Sequence, residues 1–433
     1  MWRMSISNPR FVQLTARLCA MGFTLVLLMV CAGCETDKEE HAMSSKNAKE
    51  LLGNPAYQAI SYGGYRGLSR SEQPSIAQLK EDLRIMHAMG IRFLRTYNVQ
   101  LPHASNVLKA ISELQQEEGA FEMYVMLGAW IDCSGAWTAA PDHQVGDFEA
   151  NQAEINRAVA LAQSYPDIVK VIAVGNEAMV HWASSYFVQP KVILHWVNHL
   201  QTLKFKGALS SDLWVTSSDN FASWGGGGSE YHNEDLNALI RAVDYVSMHT
   251  YPFHDTHYNP IFWRKDAADS TSGNGEKKGE IEQAMARALS YSQSQYQQVV
   301  NYVHDIDSTK VVHIGETGWA SVSDGLYGPE GSRAADEYKQ GLFYHGMRNW
   351  TQSSGISCFY FEAFDEPWKS AVNPTDSENH FGLFTAQGAA KYALWSITKE
   401  GVFNGLSRGG HAIECTYSGQ LELLERHVLE PAQ

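Results

Sequence analysis

The sequence predicts a single α/β domain of the (β/α)8 barrel class, and three observations predict it. Short apolar strands alternate with longer amphipathic helices along nearly the whole chain. Eight such strands can be counted, the number that closes a barrel. The fourth and seventh each run directly into a glutamate preceded by glycine or Gly-Asn, as if opening onto a shared polar mouth. The 433-residue length and 44% hydrophobic content suit one large core, since barrels of this class often run long as one unit.

The strands expected are Ala59–Tyr62, Ile91–Tyr97, Glu122–Leu127, Val169–Val174, Leu213–Ser217, Tyr245–His249, Val311–Ile314 and Ile356–Phe361. Helical patterns cover Ile76–Met89, Glu154–Tyr165, Pro190–Lys204, Ile281–Val303 and Ala334–Trp350. Ile76, Leu79, Leu83 and Met86 show the spacing that puts apolar side chains on one helix face. Two loops follow strands on the face where barrels build their sites: Gly225–Gly228, and an extended segment from His254 to Lys278. Each could shape a cleft or be a solvated insertion.

Outside the barrel the chain reads differently. Arg3, Arg10 and Arg17 precede an apolar run from Met21 to Val30, too short to span a bilayer comfortably. Cys31-Ala32-Gly33-Cys34 then resembles the bacterial lipoprotein signal, although that motif usually carries Leu where Cys31 stands. Residues 1–33 are therefore expected to be a signal peptide, with Cys34 acylated as a membrane anchor. Residues 34–53 are read as a flexible tether, 54–400 as the barrel, and 401–433 as a tail of unclear role. The expected location is the bacterial cell envelope, lipid-anchored at the outer membrane or surface.

A net charge of −15 argues against a nucleic-acid partner, which needs clustered Lys and Arg. Acidity fits solubility and identifies no substrate. Cys133, Cys358 and Cys415 remain beyond the leader and anchor, with no metal-ligand spacing. Cys358 lies in an apolar run and is expected to be buried. A Cys133–Cys415 disulfide is conceivable in an exported protein. No metal or cofactor is expected, and the protein is read as a monomer.

The chemistry centres on Val174-Gly175-Asn176-Glu177 and Ile314-Gly315-Glu316-Thr317-Gly318-Trp319. A carboxylate at the end of an apolar strand is costly unless the strand opens into a polar cleft. All strands of a parallel barrel end on one face, so the two glutamates would oppose each other. That pair suits glycoside hydrolysis, one carboxyl protonating the leaving oxygen while the other attacks the anomeric carbon. Asn176 could bond the sugar 2-hydroxyl.

These motifs resemble the large clan of barrel glycosidases with acid/base on the fourth strand and nucleophile on the seventh. Within it, Phe364-Asp365-Glu366-Pro367-Trp368-Lys369 and Glu378-Asn379-His380-Phe381-Gly382-Leu383-Phe384 are similar to glycoside hydrolase family 17, as are Arg95-Thr96-Tyr97 and Tyr251-Pro252-Phe253. The resemblance implies retaining action on β-1,3-glucan, with Glu177 as acid/base and Glu316 as nucleophile. It places Glu366, Lys369 and Glu378 in a supporting polar network. Lys369 would help keep Glu316 ionised.

Aromatics at strand ends, Trp130, Tyr251, Trp319 and Trp368, are candidate sugar platforms. Trp182 and Trp224 are loop candidates, whereas Trp196 and Trp350 fall in helices and read as core. His249 could bind sugar hydroxyls or be a satisfied structural histidine. It is more typical of cellulase-like relatives, so β-1,4 or mannan specificity stands as one alternative. A glucan transglycosylase using the same residues is another, and a catalytically silent glycan-binding lipoprotein is a third from a different class.

Overall fold

The computed structural model describes residues 46–264 and 277–432. Eight parallel strands close into a barrel: β1 (Gln58–Ser61), β2 (Ile91–Arg95), β3 (Tyr124–Ala129), β4 (Val169–Asn176), β5 (Trp214–Asn220), β6 (Val246–His249), β7 (Val312–Gly318) and β8 (Cys358–Phe361). Each pairs with its sequence neighbours, and β1 pairs with β8 to complete the ring. This is the (β/α)8 fold. The helices between strands are α1 (Ile76–Ala88), α2 (Pro102–Glu117), α3 (Phe148–Ser164), α4 (Pro190–Phe205), α5 (Glu234–Ala242), α6 (Lys277–Ile306) and α7 (Glu337–Ser353), with short α8 (Trp395–Lys399) after β8.

Alternation along the strands builds two apolar layers. Ala59, Phe93, Tyr124, Met126, Val171, Ala173, Tyr245 and Phe359 fill the barrel interior. Ile60, Leu94, Val125, Leu127, Ile172, Val215, Met248 and Ile314 belong to the larger core shared with the helices. Local signals set the helix starts: Ser75 and Gln78 form a reciprocal cap on α1, and Asp147 and Asp336 cap α3 and α7.

The expected boundaries need correction at three places. Residues 46–53 are part of the body rather than a tether. A single helical turn, Ala48–Leu51, packs its Ala48 and Leu51 onto the barrel-interior cluster, and the Gly53 amide donates to Ser357 Oγ just before β8. The turn thus closes the end of the barrel where the strands begin. Residues 1–45, including the expected signal peptide and Cys34, lie outside the described residues. The segment expected as an extended loop from His254 is helical at its start, with Pro252–Tyr258 and Pro260–Phe262, while 265–276 lie outside the described residues.

The tail beyond 400 is joined to the barrel. Phe403, Leu424 and Val428 are buried in the main core. Arg408, itself buried, donates from Nε to Asp82 of α1 at 2.9 Å and lies over the Phe364 ring. Asp82 also receives Arg66 Nη2 at 2.8 Å and the Tyr62 hydroxyl at 2.9 Å. A buried carboxylate survives because it has several charged and neutral donors. Cys133, Cys358 and Cys415 are free, so the conceivable Cys133–Cys415 bridge is not formed. Cys133 is held in the hairpin after β3, whereas Cys415 sits beside the Trp395 carbonyl. Among the described residues no helix is long and apolar enough to cross a membrane.

Candidate active site

Two irregularities in the barrel aim the glutamates. Between β4 and β5, Ala173 pairs with Thr216 but Asn176 pairs with Ser218, so β4 carries one extra residue. Gly175 takes φ +82° in that stretch, a conformation that favours glycine. On β7, Ile314 pairs with Met248 and Glu316 with His249, again one residue in excess. Gly315 is required here because a Cβ would collide with the hydroxyls of Ser247 and Ser218. Bulges of this kind redirect the following side chain. Ile314 faces the helices, whereas Glu316 reaches into the mouth. Contrary to expectation, Glu316 therefore sits within its strand rather than beyond it. Glu177 follows its own bulge at φ +45°, a strained position for a non-glycine residue of the kind that gathers at working sites.

The Glu316 carboxylate is gripped from three sides. Arg95 Nη1 donates to Oε2 at 2.5 Å, the Tyr97 hydroxyl donates to Oε2 at 2.8 Å, and the Tyr251 hydroxyl donates to Oε1 at 2.6 Å. Arg95 reaches it because it stands two residues past Phe93, on the same interior face. The other guanidinium arm donates to Asn176 Oδ1 at 2.6 Å, tying the fourth strand to the seventh. Burial alone would raise the Glu316 carboxyl, but Arg95 and the two phenols hold it below the ordinary glutamate value.

Glu177 has the opposite environment. Its Oε1 lies 3.1 Å from His249 Nδ1, and His249 Nε2 lies 2.8 Å from Ser218 Oγ. Burial, reinforced by the neighbouring Glu316 carboxylate and only partly offset by Arg95, pushes Glu177 up to about 8. Burial also lowers His249 to about 4, so the imidazole is neutral at pH 7. Two carboxyls in one mouth thus have divergent proton affinities, the arrangement that separates an acid from a nucleophile.

The mouth opens into a cleft of about 640 Å³ lined by residues from many of the strand-end loops. Tyr97, Trp130, Asn176, Glu316, Glu366, Trp368, Lys369 and Glu378 all line it, as does Tyr65. Lys369 Nζ donates to Glu362 Oε1 at 2.8 Å and lies 3.7 Å from Glu366 Oε2, and Glu366 Oε1 accepts from the Tyr65 amide. Burial, with Glu366 adding to it against the pull of Lys369, holds Glu362 well above the usual carboxylate range. The expected role of Lys369 is thus corrected. Its ammonium pairs with Glu362 and Glu366, while Arg95 is the cation on Glu316.

Trp319 is not a platform. It is fully buried between Phe253, Trp263 and Phe343, donating its indole N–H to the Ala334 carbonyl. Strand β7 ends at Gly318, and the ring packs into the helix-side core. Trp224 is likewise buried, bonded to the Ser247 carbonyl. Trp182 is exposed but does not line the cleft. Trp196 is buried in α4 and Trp350 packs on the core from α7. Trp137 and Asp132 also line the cleft and Glu362 pairs with Lys369, although no motif singles them out. Trp137 lies in a loop with no periodic pattern, and only its size and position after β3 could have signalled it.

Residues 59–382 match the family model described as the BtgE/BtgC glycoside hydrolase domain. The chain belongs to that glycoside hydrolase family. This member is similar to the crystal structure of an endo-laminarinase from Formosa Hel1_33_131, at 61% identity over 89% of this chain and 98% of the other, with a TM-score of 0.87. It is 23% identical over 380 residues to a probable glucan endo-1,3-β-glucosidase of Aspergillus flavus, covering 81% of this chain and 45% of that protein. A glucan 1,3-β-glucosidase of Saccharomyces cerevisiae is 35% identical over 127 residues, 25% of this chain and 39% of that protein. The chain thus spans less than half the length of these curated relatives. A family 17 β-1,3-glucanosyltransferase from Rhizomucor miehei, 19% identical over 78% of this chain and 96% of its own, with a TM-score of 0.53, shares the fold.

Proposed function

We propose that this protein hydrolyses β-1,3-glucan with retention of configuration, Glu177 acting as acid/base and Glu316 as nucleophile. The observation that carries the reading is the opposed environment of the two carboxyls, one raised to about 8 and the other held low by Arg95, Tyr97 and Tyr251. In the first step Glu316 attacks the anomeric carbon, the glycosidic C–O bond breaks toward the leaving oxygen, and Glu177 supplies the proton. In the second, water attacks the same carbon while Glu177 takes a proton and the bond to Glu316 breaks. Asn176, oriented by Arg95, is the donor for the sugar 2-hydroxyl, and Trp130 and Trp368 bound the sugar path. Tyr251, expected as a platform, does not line the cleft and instead serves Glu316 through its hydroxyl. β-1,3 linkage and hydrolysis rather than transfer are supported by the likeness to the endo-laminarinase.

Laminarin digestion followed by reducing-end release tests this. Glu316→Gln and Glu177→Gln should each lose about 10³-fold or more in kcat. Near-native turnover by either would remove it from the assignment.

The same reading has the enzyme exported and anchored through a lipid on Cys34. Support comes from Arg3, Arg10 and Arg17 ahead of the apolar run and from Cys31–Cys34. Metabolic labelling with a radioactive fatty acid should mark the wild-type chain and not Cys34→Ala; equal labelling of both would refute the anchor.

A further inference from the structure

Two aromatics after β3 and β4, Trp137 and Tyr186, have no part in the chemistry above. After β3 the chain forms a small hairpin, Cys133–Ser134 against Asp142–Gly146, and Trp137 stands in its loop. Trp137 is 62% exposed, large for an indole with apolar neighbours available. Its backbone sits at φ +63°, an uncommon conformation for a bulky side chain and a cost that the surrounding contacts must hold in place. Those contacts are specific. The Trp137 amide donates to the Ser185 carbonyl at 2.8 Å, and the Cys133 amide donates to the Tyr186 carbonyl, so the hairpin is fixed to the loop after β4.

The rings are ordered as a group. Trp137 stacks on Tyr186 with centroids 5.0 Å apart and planes 22° apart, and Trp130 meets the same tyrosine at 5.2 Å. The Trp130 indole N–H donates to Asp132 Oδ1 at 2.8 Å, which fixes that ring's orientation. Trp137, Trp130 and Asp132 line the same cavity as Glu316, whereas Trp368, Tyr65 and Arg70 line it from the loops after β8 and β1. The aromatic group is therefore continuous with the reaction centre.

We propose that Trp137, backed by Tyr186, is the platform of a distal sugar-binding subsite that takes the apolar face of a β-glucan pyranose remote from the cleaved bond. Resting on the glycosidase reading, it adds a length dependence which the two glutamates do not provide. An indole held with one face free and its other face stacked suits a pyranose C–H face. Asp132, beside the rings, supplies an acceptor for sugar hydroxyls.

The test compares wild type, Trp137→Ala and Trp137→Phe on laminari-oligosaccharides of increasing length. The wild-type-to-alanine ratio of kcat/KM should rise with chain length to about two- to tenfold, and Trp137→Phe should restore most of it. A ratio that is the same at every length would overturn the subsite, whether it reflects a general disturbance or no effect. A second arm uses Glu316→Gln protein with and without Trp137→Ala, reading oligosaccharide Kd by calorimetry. There the longer chains should bind about two- to tenfold more weakly without the indole, and equal Kd values would overturn the subsite. Because this arm needs no turnover, loss of the glycosidase reading and loss of the subsite give different results.

Discussion

His249 stands with Nδ1 3.1 Å from Glu177 Oε1 and Nε2 2.8 Å from Ser218 Oγ, fully buried between that carboxyl and a hydroxyl pair. Ser218 continues the chain to Ser247 Oγ at 3.0 Å. The histidine is neutral, so it acts by orientation rather than by charge. Under the proposed mechanism it positions the acid. His249→Ala should lower kcat on laminarin by up to about 10²-fold. The loss should shrink on aryl glycosides whose leaving groups need no proton. An equal loss on both substrate types would mean that His249 supports the fold instead.

The pH profile follows from the two carboxyls. Under the proposed mechanism Glu177 must be protonated, so activity should fall as pH rises through about 8. As the proposed nucleophile Glu316 must be ionised, and its lowered proton affinity should put the acid limb below the ordinary glutamate value. The two interact, so the limbs belong to the pair. Measuring kcat/KM from pH 3 to 10 checks this; a basic limb near pH 5 would be inconsistent with the environment of Glu177.

The same shift has a stability sign. Glu177 binds its proton more tightly folded than unfolded, so its contribution is complete below about 4.5 and is lost as pH rises through about 8. Glu177→Gln removes that loss. Its unfolding free energy should therefore rise relative to wild type between pH 5 and 9, by on the order of a few kcal/mol at the alkaline end. Parallel curves from thermal melts across that range would count against a buried neutral acid.

Asp82 joins α1, the cleft residue Tyr62 and the C-terminal tail through Arg66 and Arg408. Replacing it with Asn leaves a buried guanidinium without its anion. Asp82→Asn should cost about 3 kcal/mol in urea unfolding. A change within about 0.5 kcal/mol would show that the joint is structurally idle.

Much of this architecture was legible from the sequence because periodicity and strand-end glutamates are local signals. Strands β1 to β8 fall on the expected apolar runs, and the Gly that precedes each working pair marks a bulge that re-aims the chain. What a strand end cannot reveal is the direction of the next side chain. Trp130 turns into the cleft, whereas Trp319, directly after β7, turns into the helix layer. Contacts between distant segments were equally hidden. Asp82 and Arg408 carry no shared local pattern, nor does Lys369 announce that Glu362 rather than Glu316 takes its charge.

The most direct measurement of the central claim is proton NMR of the products during the first minutes of laminari-oligosaccharide hydrolysis. Attack by Glu316 followed by attack by water inverts the anomeric centre twice, so the β-anomer should appear first and the α-anomer only by later mutarotation. Initial release of the α-anomer would contradict the nucleophilic role of Glu316.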